Sequence, residues 1–413
     1  MTAVINTLPT LSIAERDRRW SLVRDFLREH DLDCLLAAGL RGRERYEGYL
    51  ANEVLDGIVV FSATAPPVHL TWAPTKVTGR FDVVGQEREY WISDLRSGSL
   101  GALLPEVLTE LGHARGRVGV VGLASNGPAE ADGIVPQAMW TQVVQHLPQA
   151  DFQDVSFDFG LLMLPKSEEE LALARYGAAV GEKACQAMLD VTRAGVPEAE
   201  IYATVLHTIY RNAAATVPPH LIMRTGTEHF TISAPPWLYT AGGSRTVQPG
   251  DLVQAEIFSV YGGIETQQQM SVSVGPPDRE HAFLAEIARD CYDAGLAAIR
   301  PGARFADVDE AMQEVVLGAG CWHIAPLVQT MTPIVLNGAM CHGCEQLPDR
   351  DRYHGLRPLP RTGDAELREG MVIELEPNAC RDRRRVTVGG TVLVTANGAE
   401  ELNSLPTRLN TVA

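Results

Sequence analysis

The sequence predicts an α/β domain over residues 1–163 and an α+β domain over 164–413. From about residue 12 to 160, short apolar β-rich runs alternate with helical stretches, the pattern of an open α/β layer. Near Leu164-Pro165-Lys166-Ser167 that pattern ends in a helix start. Beyond Gly250 long strands with turns dominate, broken by only two helical stretches.

An amphipathic helix from Glu15 to His30 opens the first domain and leads into the apolar run Cys34-Leu35-Leu36-Ala37-Ala38. Strands are expected at Gly57–Phe61, Glu89–Ile92 and Val118–Val121, with a helix around Leu100 to Leu111. Ser167 caps the next helix, and Glu168, Glu169 and Glu170 complement the positive end of its dipole. That helix runs to Ala194 and stops at Gly195. Pro197 starts another, with Glu198 and Glu200 in its first turn, reaching about Arg211. Helices are also expected from Glu280 to Ile299 and from Phe305 to Gly318.

Composition narrows the partners. The 413 residues carry 52 acids against 35 bases, a formal charge of −17. Such a surface repels nucleic acid and anionic lipid and favours cationic small molecules. No run reaches the ~18 apolar residues a membrane span needs, and the N-terminus lacks the layout of a secretory signal. These features, with seven scattered cysteines, point to the reducing cytoplasm. Cys341-His342-Gly343-Cys344 has no second pair at zinc-finger spacing, so it reads as buried thiols around a histidine. The run Arg381-Asp382-Arg383-Arg384-Arg385 reads as a solvated hairpin turn.

Five landmarks in family order resemble the creatinase/prolidase/methionine-aminopeptidase family. They are Lys166-Ser167-Glu168-Glu169-Glu170, Gly250-Asp251-Leu252-Val253, Pro301 to Val308, Glu369 to Pro377, and Thr391 to Gly398. The resemblance implies a pita-bread catalytic domain, a curved antiparallel sheet covered by helices, preceded by a creatinase-like N-terminal α/β domain. It also implies a homodimer in which the first domain of one subunit reaches over the other's site. The stretch Arg41 to Tyr46 is the region that would do so, with Arg43 as a candidate to hold a substrate carboxylate.

The family's two divalent metals take two aspartates, a histidine and two glutamates. By resemblance those positions are Glu256, Gln267, Val335, Glu376 and Gly389 in this sequence. Valine and glycine supply no side-chain ligand, and an amide is a weak one, so no metal and no other cofactor is expected. Gly338-Ala339-Met340-Cys341-His342 is similar to a stretch of creatinase, the branch that works without metal. The sequence lacks two histidines that creatinase keeps, one near Gly389 and one before the Gly250 strand, where His229 is the nearest substitute.

Strand alternation gathers the polar groups. Gln254, Glu256 and Phe258 share a face, as do Glu265, Gln267 and Gln269, and Glu374 with Glu376. Converging carboxyls repel, so at least one has a raised pKa, or a cationic ligand neutralises them. His342, Glu376 and Glu256 are the candidate catalytic residues. Glu265, Gln267, Gln269, Gln254, Glu374, His229 and Arg43 are the candidate substrate contacts, and His220 and Arg224 lie in a loop that forms a substrate wall in the family.

Three functions remain open on this sequence. The first is metal-independent hydrolysis of a non-peptide C–N bond in a small cationic or zwitterionic molecule. The second is a metal-free lyase, cyclase or isomerase of secondary metabolism, and the third a non-catalytic binding protein derived from a peptidase.

Overall fold

The computed structural model describes residues 8–40, 43–82, 89–124 and 133–413. The chain divides into two compact units, Met1–Met163 and Leu164–Ala413.

In the first unit, helix α1 (Ile13–Glu29) is capped by Ser12, whose hydroxyl accepts the Glu15 N–H. It leads into strand β1 (Cys34–Ala38), then α2 (Tyr46–Ala51), β2 (Gly57–Ser62), β3 (Val68–Thr71), α3 (Pro74–Phe81) and β4 (Asp94–Ser97). There follow α4 (Leu100–Glu110), β5 (Arg117–Val121), α5 (Gln137–His146), β6 (Asp151–Asp154) and α6 (Ser156–Met163). The sheet order is β4-β3-β2-β1-β5-β6, with β1 antiparallel to β2 and parallel to β5. Leu35, Ala37, Val59 and Phe61 pack under α1, α2 and α6, while Leu36, Ile58 and Val60 pack under α4 and α5. Both faces are covered, which is why these strands read as unbroken apolar runs.

One expected strand is displaced. Glu89–Ile92 is not a strand; the strand is β4, Asp94–Ser97, on the sheet edge. Trp91 and Ile92 are buried, but as an irregular segment: the Arg19 guanidinium lies over the Trp91 ring and Arg80 Nη1 donates to the Ile92 carbonyl. Residues 41 and 42, part of the stretch expected to reach a partner subunit, lie outside the described residues. Arg43 is half-buried in the connection between β1 and α2.

The second unit starts with α7 (Glu168–Val191), whose capping box joins Ser167 and Glu170 reciprocally. Then come α8 (Glu198–Arg211), β7 (Leu221–Gly226), β8 (Leu252–Tyr261), β9 (Ile264–Val274), α9 (Arg279–Ala298), α10 (Phe305–Gly318) and β10 (Val328–Thr330). The chain ends with β11 (Val372–Leu375), β12 (Asn378–Arg381), β13 (Arg384–Thr387), β14 (Gly389–Thr395), β15 (Gly398–Glu401) and β16 (Asn410–Val412). An eight-stranded sheet follows the order β10-β11-β14-β9-β8-β7, with β15 added on β14 and β16 on β9. Its ladders are antiparallel except β9 with β16. A separate hairpin joins β12 and β13.

The two faces of this sheet differ in kind. Val253, Ala255, Ile257, Met270 and Val272 pack against Val180, Ala184, Met188, Ile201 and Val205 of α7 and α8. Burying that many aliphatic side chains, at roughly 1.5–3 kcal/mol each, fixes the register, because a slip of one residue would turn them outward. Helix α7 lies close because position 181 is glycine: a Cβ there would fall 1.9 Å from Gln268 Oε1. The opposite face carries the polar residues.

Candidate active site

Register sets Glu256 of β8 opposite Gln269 of β9, and Gln269 in turn opposite Gly389 of β14. Glu374 of β11 stands opposite Thr391 of β14 and Gln329 of β10. Glu376 lies just past the end of β11, and its backbone N–H donates to the Leu327 carbonyl. Glu256, Glu265, Glu374 and Glu376 are all buried, as are Gln254, Gln267, Gln269 and Gln329.

Amides and hydroxyls serve the carboxyls. Gln269 Nε2 donates to Glu376 Oε2 at 2.9 Å, and Gln267 Nε2 donates to Glu265 Oε1 at 2.9 Å. Gln329 Nε2 passes a longer bond, 3.3 Å, to Gln267 Oε1. The Thr391 hydroxyl lies 2.8 Å from Glu374 Oε2 and 3.0 Å from the Gln267 carbonyl, while receiving the Gln267 N–H at 2.8 Å.

A hydroxyl has one proton and two lone pairs, so Thr391 cannot donate to both oxygens. Its proton goes to one of them, and the shorter bond is the one Thr391 donates to Glu374 Oε2. The surroundings of Glu374 nonetheless favour the neutral acid. Burial, then the charge of Glu376, with Glu256 and Glu265 behind it, raises the Glu374 carboxyl well above the ordinary range; the Thr391 bond only partly offsets them. Glu374 is 0% exposed, and its Oε1 has no hydrogen-bond partner among the described residues.

The run read as a solvated turn is otherwise in the structure. Asp382 and Arg383 form the turn, and Arg384 faces outward toward Glu228, but Arg385 is 3% exposed. Alternation along β13 turns Arg385 inward with Thr387. Its Nε donates to Gln254 Oε1 at 3.1 Å, and Gln254 Nε2 returns a bond to the Arg385 carbonyl. Burial lowers the guanidinium's pKa, while Cys380, Glu256 and Glu376 act against that loss. The sequence offered one signal for this residue, its place on the inward face of a short strand. The surrounding charges masked it.

Among the described residues, His229, His342 and His323 differ in their surroundings. His229 is held neutral, its pKa pushed down to about 4 by burial and by the nearby charge of Arg385. Nε2 points to the Leu252 carbonyl at 3.5 Å, which leaves Nδ1 buried with no hydrogen-bond partner among the described residues. His342 is half-buried beside His323, whose backbone N–H donates to the His342 carbonyl; the ring centroids are 5.8 Å apart. His323 went unnoticed in the sequence as a single histidine beside a tryptophan. It is fully buried, its Nδ1–H donates to the Ala325 carbonyl at 2.9 Å, and Nε2 therefore carries the lone pair. Burial pushes its pKa down to about 4.

His220 lies apart, bonding the Thr216 hydroxyl on an exposed turn, whereas half-buried Arg224 of β7 stands opposite Gln254 and donates to Ser233 Oγ. Cys341 is buried and its thiol is pushed up to about 11, and all seven cysteines are free thiols.

The family positions for two divalent ions can be tested against this geometry. Val335 is buried, with its N–H on the Thr330 hydroxyl, and offers no side-chain donor. A Cβ at Gly389, where φ is +155°, would fall 2.1 Å from the Leu375 carbonyl oxygen, so no side chain fits there. Gln267 is committed to Glu265, and Gln269 directs an N–H at the Glu376 oxygen a cation would take. Among the described residues no three His, Cys, Asp or Glu side chains are grouped to hold a metal ion. The donor set does not fit two divalent ions.

Residues 172–396 match the profile of Metallopeptidase family M24. Creatinase from Bacillus sp. (strain B-0618) is 23% identical over 416 residues, covering 96% of this chain and 92% of that one. The Xaa-Pro dipeptidase of Pyrococcus furiosus is 24% identical over 244 residues, 58% of this chain and 63% of its own. The solved X-Pro aminopeptidase of Thermotoga maritima superposes with a TM-score of 0.71 at 15% identity, covering 95% of this chain and 99% of that one. The prolidase structure from Pyrococcus horikoshii gives 0.71 at 15% identity, with 94% and 99% covered. The fold is thus the curled antiparallel sheet with helices, behind a mixed α/β domain, that those structures show. Among the described residues no helix is long and apolar enough to cross a membrane.

Proposed function

The chain belongs to metallopeptidase family M24, and within this family of hydrolases we propose that it cleaves a non-peptide C–N bond of a small cationic or zwitterionic substrate without metal. The observation that carries the reading is the four-glutamate cluster capped by glutamine and threonine donors, in place of a ligand set for two ions. Similarity to a creatinase along nearly the whole chain supports a small-molecule substrate.

Glu256 and Glu376 receive the cationic nitrogen group of the substrate by charge-assisted hydrogen bonds, which are about twice as strong as neutral ones. Water then adds its oxygen to the carbon while the C–N bond breaks. One proton leaves the water for an imidazole, and the departing nitrogen gains one. His342 is the acid–base group of this proposal, and His229, with an unshared pair at Nδ1, is the second imidazole positioned to accept a proton. Glu374, held as the neutral acid, keeps the cluster from carrying four full charges. Glu265, Gln267, Gln269 and Gln254 shape the polar wall, and Arg43 of a second subunit belongs to the same proposal as a carboxylate contact in a homodimer.

The test is turnover of a panel of amidino, guanidino and ureido acids in ¹⁸O-labelled water, followed by mass spectrometry of the products. One labelled oxygen per turnover is expected. Turnover without label would instead establish elimination, cyclisation or isomerisation, and the hydrolase reading would fall.

A further inference from the structure

The segment from Trp322 to Leu327 is pinned at both ends to the chain that follows β11. Trp322 and Cys380 exchange backbone bonds of 2.9 and 2.7 Å, and the Leu327 carbonyl accepts the Glu376 N–H. Between those ends Asn378, itself 1% exposed, works as a clamp. Its Oδ1 accepts the N–H groups of Ile324 and Ala325 at 2.9 and 3.1 Å, and its Nδ2 donates to the Glu376 carbonyl at 2.9 Å. The Ala325 backbone is thereby fixed, and its carbonyl takes the Nδ1–H of His323 at 2.9 Å. That bond leaves the His323 lone pair on Nε2, which is buried and has no hydrogen-bond partner among the described residues. A buried acceptor without a donor is costly.

The ring beside it is that of His342, with centroids 5.8 Å apart and planes tilted by 40°. Two bonds hold the pair together: the His323 N–H donates to the His342 carbonyl at 3.2 Å, and the Cys341 thiol donates to the Ile324 carbonyl at 3.4 Å. Their sequence neighbours Trp322 and Cys341 pack with Cys344 and Cys380 in one apolar cluster. We propose that His323 is a positioning residue for His342: its Nε2 accepts the His342 ring N–H, which leaves the other His342 nitrogen to take a proton. A rotation of the half-buried His342 ring closes the gap, and such bonds are often long in an empty site. The inference rests on the hydrolytic reading above, in which His342 is the acid–base group, and adds the acceptor that sets its tautomer. When His342 takes the proton of water, its N–H to His323 becomes charge-assisted and about twice as strong. Asn378 and His323 both act through His342.

The experiment is ¹⁵N NMR of the full chain labelled in its histidine rings, recorded at about pH 9, where free imidazoles are neutral. His342→Gln identifies the His342 signals by their loss. In wild type His342 is expected as one tautomer, favoured about tenfold, as a hydrogen bond of ordinary net strength allows. His323→Asn keeps a donor for the Ala325 carbonyl but removes the lone pair, so the His342 preference is expected to fall to that of free histidine measured alongside. A wild-type His342 with the tautomer mixture of free histidine overturns the proposal. A single tautomer that persists in His323→Asn overturns it too, because the asparagine supplies a merely structural role. If His323→Asn does not fold, the wild-type His342 tautomer, compared with free histidine, decides it alone. Neither readout involves turnover. A mixed His342 tautomer removes the positioning role and leaves the hydrolase reading standing, whereas unlabelled product in ¹⁸O water does the reverse.

Discussion

Gln269 donates from its Nε2 to Oε2 of Glu376 at 2.9 Å, across 107 positions of sequence, while standing opposite Glu256 in the β8–β9 ladder. One amide thus lies between the two carboxylates that a metallopeptidase of this family would turn toward ions. A carboxylate that already accepts an N–H from a fixed donor has lost part of its capacity for a cation. In the proposed metal-independent reading, that amide stands where an ion would, and the site's other properties follow from it.

Changing that amide to an acid tests its role. Gln269→Glu removes the donor and sets a like charge against Glu376, so stability at pH 7 is expected to fall by about 2–4 kcal/mol. The loss shrinks as the solution is acidified toward the carboxyl range. Urea unfolding at pH 7 and pH 5 measures it; equal losses at both values would mean the bond is structural packing without a charge component.

Glu374 gives a second pH signature. Its folded pKa is raised from the usual 4.5 by burial and neighbouring acids. The unfolded chain releases that proton above about pH 4.5 while the folded chain retains it, so this contribution is full below 4.5 and is lost as pH rises toward the folded pKa. Glu374→Gln keeps the shape and removes the titration. Its stability relative to wild type is expected to grow from pH 5 to pH 8 in chemical denaturation. Curves that stay parallel contradict a neutral Glu374.

His229 and His323 act on the acid side. Each is held to about 4 against an unfolded value of 6.5. Their stability is full above 6.5 and lost as pH falls toward 4, on the order of 3 kcal/mol for each once the solution is below both values. His323→Asn keeps a donor for the Ala325 carbonyl and abolishes the titration, so its stability should fall less steeply between pH 6.5 and 4. Identical slopes in the variant and wild type would count against the buried neutral imidazole.

Gly389 sets a limit on reverting the site. A Cβ there meets the Leu375 carbonyl at 2.1 Å, so Gly389→Ala is expected to cost more than about 3 kcal/mol. Gly389→Glu, which restores the family residue in name, is expected to bind no Mn²⁺ because the strand leaves no room for it. A stable Gly389→Glu protein with tight Mn²⁺ would show that the backbone relaxes readily.

Much of the site was legible because strands repeat every two residues. Gln254 and Glu256, the row Glu265, Gln267 and Gln269, and Glu374 all stand where alternation puts them, since β8, β9 and β11 each bury an apolar face on the other side. Arg385 was hidden by its neighbours: Arg383 and Arg384 are only half-buried, and composition cannot tell a fully buried guanidinium from partly solvated ones beside it. His323 gives no periodic signal, because it lies in an irregular segment before β10. Strand β4 was missed for a related reason. An edge strand of Asp94, Leu95, Arg96 and Ser97 is half-buried throughout, and the more apolar Tyr90-Trp91-Ile92 nearby drew the assignment.

Diffraction from crystals soaked in manganese chloride, recorded with the anomalous signal of manganese, tests the central claim most directly. The account predicts no ordered ion between Glu256 and Glu376, with Gln269 still bonded to Glu376. A well-occupied manganese held by both glutamates would contradict it.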